Sequence, residues 1–140
     1  MNEFSTTTTF QLIRRLAAAG PNTPTLYLLL CEAAAMDSVR ADIEAEVQVQ
    51  FGFIPRSFSA SGIESDPLEK TFAHNTDQPL VLITFDHWIP GLFRSFDRNI
   101  VLLKEAGTVL LIASRKIAER ALATAPNMRN RFTDVLWIKP

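Results

Sequence analysis

The side chains best placed to do chemistry stand where apolar runs end. Asp86 follows Leu80-Val81-Leu82-Ile83-Thr84-Phe85 and precedes His87 and Trp88; Cys31 closes the run Thr25–Leu30 beside Glu32; Arg129 and Arg131 precede a last apolar segment. A cysteine nucleophile needs a base and an electropositive setting to lower its pKa. Only His74 and His87 could serve as the base, and the charge around Cys31 is acidic, so a buried, inert thiol is the favoured reading. Two histidines without His-x-x-x-His spacing build no metal site, and neither a Ser-His-Asp set nor a glycosidase-type carboxylate pair is in evidence. Asp86 at a strand end reads as a ligand-edge acid or, more simply, as a cap on the next turn. His87 beside Trp88 is expected to be partly buried and hydrogen-bonded next to a packed indole.

Composition narrows the field further. The 140 residues carry 14 basic and 15 acidic side chains, a formal charge of -1, which removes the electrostatic footprint of a nucleic-acid binder. With 47% hydrophobic and 21% charged residues the chain is an ordinary globular one, expected to form a single domain over residues 1–140. One cysteine forms no internal disulfide and no thiolate cage. No apolar run reaches spanning length and the start, MNEFSTTTT, is not a secretory signal; the expectation is a cytoplasmic protein with no membrane, metal or cofactor.

The elements that must position these groups follow from periodicity. Met1–Thr9, polar and Thr-rich, reads as flexible or as a cap. Phe10, Leu12, Ile13 and Leu16 recur at helical spacing up to Gly20-Pro21. Thr25–Cys31, Pro79–Asp86, Thr108–Ser114 and Asp134–Ile138 read as strands buried on both faces. Asp37 or Ser38 caps a helix to about Gln50 with Val39, Ile43 and Val47 inward; Asp66-Pro67 opens a short helix with Leu68 and Phe72; further helices span Leu92 to Ala106 and Lys116 to Ala125. The irregular stretch from Gly52 to Ser65 holds a short strand around Ser57–Ala60. Apolar strands alternating with amphipathic helices predict a three-layer αβα sandwich with a mostly parallel sheet of four to five strands, in which Tyr27–Leu30 and Val81–Phe85 are neighbours.

Three pieces then match a family pattern in order. Leu80–Phe85 with Asp86 resembles the Walker B strand of P-loop ATPases of the AAA+ and STAND type. Val109–Ala113 with Ser114 resembles their sensor-1 strand. The run from Ala125 to Phe132, with Arg129 and Arg131, resembles the arginine-finger segment. The resemblance, spanning roughly Thr25 to Pro140, implies a P-loop NTPase-like fold. Where G-x-x-x-x-G-K-[ST] should stand, the chain has Cys31-Glu32-Ala33-Ala34-Ala35-Met36-Asp37-Ser38, so that only Ser38 agrees. Cys31 and Met36 replace glycines and are expected to fill the phosphate space, while Asp37 replaces the lysine. At 4 Å and an effective dielectric near 20, one such charge contact is worth about 4 kcal/mol, and here its sign is inverted. His87 also stands where the second acid would follow Asp86.

The resemblance is therefore to a degenerate, inactive member, of the kind found as STAND-like domains in bacterial conflict and signalling systems. It implies a non-catalytic adaptor or assembly module without ATPase activity, meeting a protein partner or another copy of itself through Arg129 and Arg131. On that reading the arginines pair with an acidic surface such as Glu32, Asp37 or the Asp86 edge of another copy; the plainer alternative is a solvated arginine pair near a helix end. Phe51, Phe53, Ile54 and Phe58 are candidate contacts, or else close the end of the sheet. The alternative function is a weak nucleotide-binding switch using Ser38, Asp86 and helix N-terminal amides. A third is the sensor or scaffold part of a longer chain, since such domains usually continue into a lid.

Overall fold

The computed structural model describes residues 4–20, 23–63, 72–73, 77–98, 106–124 and 129–139. The short helix expected from Asp66-Pro67, the later part of the helix expected up to Ala106, His74 and residues 125–128 lie outside them. Among the described residues six strands form one parallel sheet: β1 (Ser5–Thr8), β2 (Thr25–Cys31), β3 (Arg56–Ser59), β4 (Leu80–Phe85), β5 (Thr108–Ser114) and β6 (Asp134–Lys139), in the spatial order β1-β6-β2-β5-β4-β3. The helices are α1 (Thr9–Ala19), α2 (Met36–Phe51), α3 (Ala60–Ile63), α4 (Pro90–Arg98) and α5 (Arg115–Thr124), with a 3-10 turn at Ala33–Ala35.

Side chains alternate across the strands, and each face has its own core. Leu26, Leu28 and Leu30 of β2 join Val81, Ile83, Phe85, Val109 and Leu111 in a core that takes in residues of α3, α4 and α5. Tyr27, Leu29 and Cys31 join Leu80, Leu82, Leu110 and Ile112 in a core shared with α1 and α2. Burial on both faces is why these strands are continuous apolar runs rather than alternating ones. The three-layer αβα reading is correct, with six strands rather than four to five. β5 lies between β2 and β4, so Tyr27–Leu30 and Val81–Phe85 share one sheet without being adjacent.

The sixth strand comes from the segment read as flexible or capping. Ser5–Thr8 pair with Leu136–Lys139, since β6 would otherwise present an open edge, and β-branched threonine suits such a strand. The capping half of that reading holds at Thr8. Its hydroxyl accepts from the Gln11 N–H at 3.2 Å, and its own N–H donates to Gln11 Oε1 at 3.4 Å. α2 ends at Gly52, whose φ of 79° is the left-handed conformation a glycine adopts without strain. No helix among the described residues is long and apolar enough to cross a membrane.

Candidate functional site

Parallel strands gather their C-terminal ends at one edge, where open α/β sheets hold ligands. Cys31 pairs in register with Ser114, and Phe85 with Ala113, so Asp86 and the β2–α2 connection meet at that edge. The connection is short. Glu32 is extended (φ -63°, ψ 141°), Ala33–Ala35 form one 3-10 turn, and α2 begins at Met36. The Ala35 N–H donates to the Glu32 carbonyl at 2.9 Å, and the Met36 N–H donates to the Ala33 carbonyl. Two amides that a phosphate-wrapping loop would aim at its ligand are thus already bonded within the turn. The α2 N-cap is Ala35, not Asp37 or Ser38, and it makes no side-chain capping bond. Asp37 stands inside the first turn, where its charge suits the positive end of the helix dipole.

Cys31 and Met36 do not fill phosphate space as expected. They are 2% and 6% exposed because both turn into the core beneath α2. The connection differs from a phosphate loop in its backbone path and in the charge of Asp37. Burial, and then the neighbouring Glu32 carboxylate, push the Cys31 thiol from 9.0 up to about 11, in keeping with the inert reading. Native protein at pH 8 is expected to react with iodoacetamide at least about 100-fold more slowly than the unfolded chain. Because the folded pKa is the higher one, this thiol's contribution to stability is complete below pH 9.0 and is lost as pH rises to about 11. Over that window roughly 2–3 kcal/mol should disappear, which denaturant titration across pH would measure.

Asp86 Oδ2 accepts from the Ser61 hydroxyl at 3.2 Å and lies 3.4 Å from His87 Nδ1. The carboxylate therefore ties the end of β4 to α3. The His87 side chain is 57% exposed, contrary to the partly buried histidine expected, because the turn after β4 directs it outward. Trp88 packs as expected, stacked on Phe93 with centroids 5.1 Å apart and with the Arg120 guanidinium 5.5 Å from its ring centre.

A cavity of about 270 Å³ opens between the start of α2 and the β3/β4 edge, lined by Asp37, Arg40, Ser57, Phe58, Ser59, Thr84 and Asp86. Arg40 is engaged by Glu44 at 2.7 Å, and Glu44 also accepts from the Ser57 hydroxyl at 2.7 Å. Asp86 and Asp37 are thus brought together, while Ser38, exposed on the first turn of α2, is not among the lining residues. Thr84, Ser57 and Ser59 escaped the sequence reading, although Thr84 is the one polar residue in an otherwise apolar strand. No group of three potential metal-ligating side chains occurs among the described residues.

Of the other candidates, Phe58 also borders this cavity and the rest lie elsewhere. Arg129 and Arg131 are exposed ahead of β6, at the opposite edge of the sheet from Asp86. There the Thr133 N–H donates to the Leu26 carbonyl at 2.7 Å, and the Leu26 N–H donates to the Thr133 hydroxyl at 3.1 Å. Phe53 and Phe58 are half-buried rather than free contacts. Phe53 packs under α2 beside Phe51, Phe58 packs on the opposite face, and of that group Ile54, at 57%, is the exposed one.

The α/β architecture is similar to that of a solved structure, domain III of the Thermotoga maritima replication initiation protein DnaA. The TM-score is 0.56 at 10% sequence identity, over 94% of this chain and 60% of that one. The fold is AAA+/P-loop-like. This chain spans three-fifths of the length of that DnaA domain chain. No family model matches the sequence. No curated protein matches it either.

Proposed function

We propose that this chain is a non-catalytic protein-interaction and assembly module, a degenerate AAA+/P-loop-like core that no longer cradles a nucleotide. The observation that carries the reading is the β2–α2 connection, where the Ala35 and Met36 amides are spent inside a 3-10 turn and Asp37 occupies the lysine position. A polyphosphate arriving there would meet a carboxylate and bonded amides in place of a cation and open donors. The switch reading draws on Ser38 and Asp86 together, whereas Asp86 shares its cavity with Asp37 and with hydroxyls of the sheet edge.

In this module Arg129 and Arg131 form the contact for a protein partner or a second copy, because they are exposed at the edge away from the cavity. A formal charge of only -1 leaves little long-range repulsion between copies. Arg131→Glu is expected to weaken self-association or partner capture at least about tenfold while leaving the melting temperature within a few degrees, since it removes no buried contact. Light scattering over a concentration series, with pull-downs on both forms, checks this. A wild type that stays monomeric at high concentration and captures nothing sensitive to Arg131→Glu removes the interface assignment.

A further inference from the structure

We propose that the cavity between α2 and the β3/β4 edge receives the guanidinium of an arginine side chain carried by a protein partner; the proposal rests on the interaction-module reading. The cavity and its immediate surroundings bring the carboxylates of Asp37, Asp86 and Glu44 against the single guanidinium of Arg40, which Glu44 already holds at 2.7 Å. What remains is negative charge from Asp37 at the α2 wall and Asp86 at the rim. Along the sheet edge the site offers hydroxyls. Ser57 donates to Glu44 and keeps lone pairs to accept with; Ser59 accepts the Gly62 N–H at 3.1 Å and keeps a proton to donate.

Thr84 supplies the independent sign of a missing ligand. It is 5% exposed, it lines the cavity, and its Oγ1 has no hydrogen-bond partner. Leu80 and Leu82, two and four residues earlier on β4, belong to the α1/α2 core, so Thr84 projects on the α2 side of the sheet, where the cavity lies. An unpartnered buried hydroxyl is unfavourable, and a fold can retain one where a ligand completes it. Carboxylates only accept and hydroxyls can, so the matching ligand is a donor-rich cation. Guanidinium, with five N–H groups in a rigid plane, reaches several acceptors at once, as a single ammonium point charge does not. A phosphate would set acceptor against acceptor.

The test is a backbone-amide NMR titration of the whole chain with L-argininamide, run beside L-lysinamide and magnesium chloride. Argininamide is expected to shift the amides of Ser57, Ser59, Thr84 and Asp86 and to bind at least about fivefold tighter than lysinamide. Asp37→Asn and Asp86→Asn should each weaken it about fivefold or more. Thr84→Val should weaken it too while raising the melting temperature by roughly 3 °C, because the variant relieves an unpartnered hydroxyl without changing shape. Shifts scattered away from the cavity would overturn the proposal, as would lysinamide or magnesium binding equally well. So would a Thr84→Val that gains stability and binds argininamide unchanged, marking Thr84 as a core orphan. If partner capture survives both aspartate substitutions, the cavity assignment falls and the module reading stands; if ATP rather than argininamide shifts these amides, the module reading falls as well.

Discussion

Phe93→Ala is expected to destabilise the protein by about 3–5 kcal/mol and to lower its melting temperature by roughly 10–15 °C. Phe93 is fully buried, stacked on Phe85 with centroids 4.4 Å apart and on Trp88 at 5.1 Å, and it meets Phe96 edge-on at 6.4 Å. Removing the ring leaves a cavity that three aromatic neighbours cannot close without leaving their own contacts. Phe85 and Trp88 bracket Asp86 and His87 in sequence, so the same change loosens the turn that sets the rim of the candidate site. Urea denaturation of both forms measures the loss, and a difference below about 1 kcal/mol would show that this aromatic stack does not hold α4 to the sheet.

The second large effect is a gain. If the β2–α2 connection is all that separates this fold from a nucleotide site, rebuilding it should create one. Cys31→Gly, Met36→Gly and Asp37→Lys combined free the loop path and restore the cation, and are expected to raise affinity for magnesium-ATP at least about 100-fold. The triple variant gives up two buried side chains, so its fold must be checked by circular dichroism before titration. Asp37→Lys alone keeps that packing and is the control. It should gain far less than the triple variant, because the Ala35 and Met36 amides remain bonded within the 3-10 turn. Binding by the single variant as tight as by the triple one would mean that charge, not backbone path, excludes the phosphate.

Much of this architecture can be read from the residues because burial on two faces writes an unmistakable pattern. β2 and β5 fall at the expected limits, and β4 and β6 differ by a residue at their ends. β1 was not legible as a strand, since a run of threonines carries no alternation and its pairing depends on β6, some 130 residues later. β3 is displaced by one residue, as edge strands with polar outer positions leave register weakly marked. At the site, the sequence shows which residues stand where a phosphate loop would, but not which way they face: Cys31 turns inward as the last residue of β2, on the side of Tyr27 and Leu29, and Met36 as the first residue of α2 after the 3-10 turn. The cavity was illegible for a related reason. Its hydroxyls come from two strands whose adjacency only the sheet order reveals, with Ser59 paired to Thr84. Topology likewise sets Arg131 and Asp86 at opposite edges, which makes any pairing between them a contact between two chains.

Isothermal titration of the unmodified chain with magnesium-ATP tests the central claim most directly. A turn whose amides are bonded internally, with aspartate in the lysine position, predicts no saturable heat up to about 1 mM nucleotide. Micromolar binding that Asp86→Ala abolishes would contradict it.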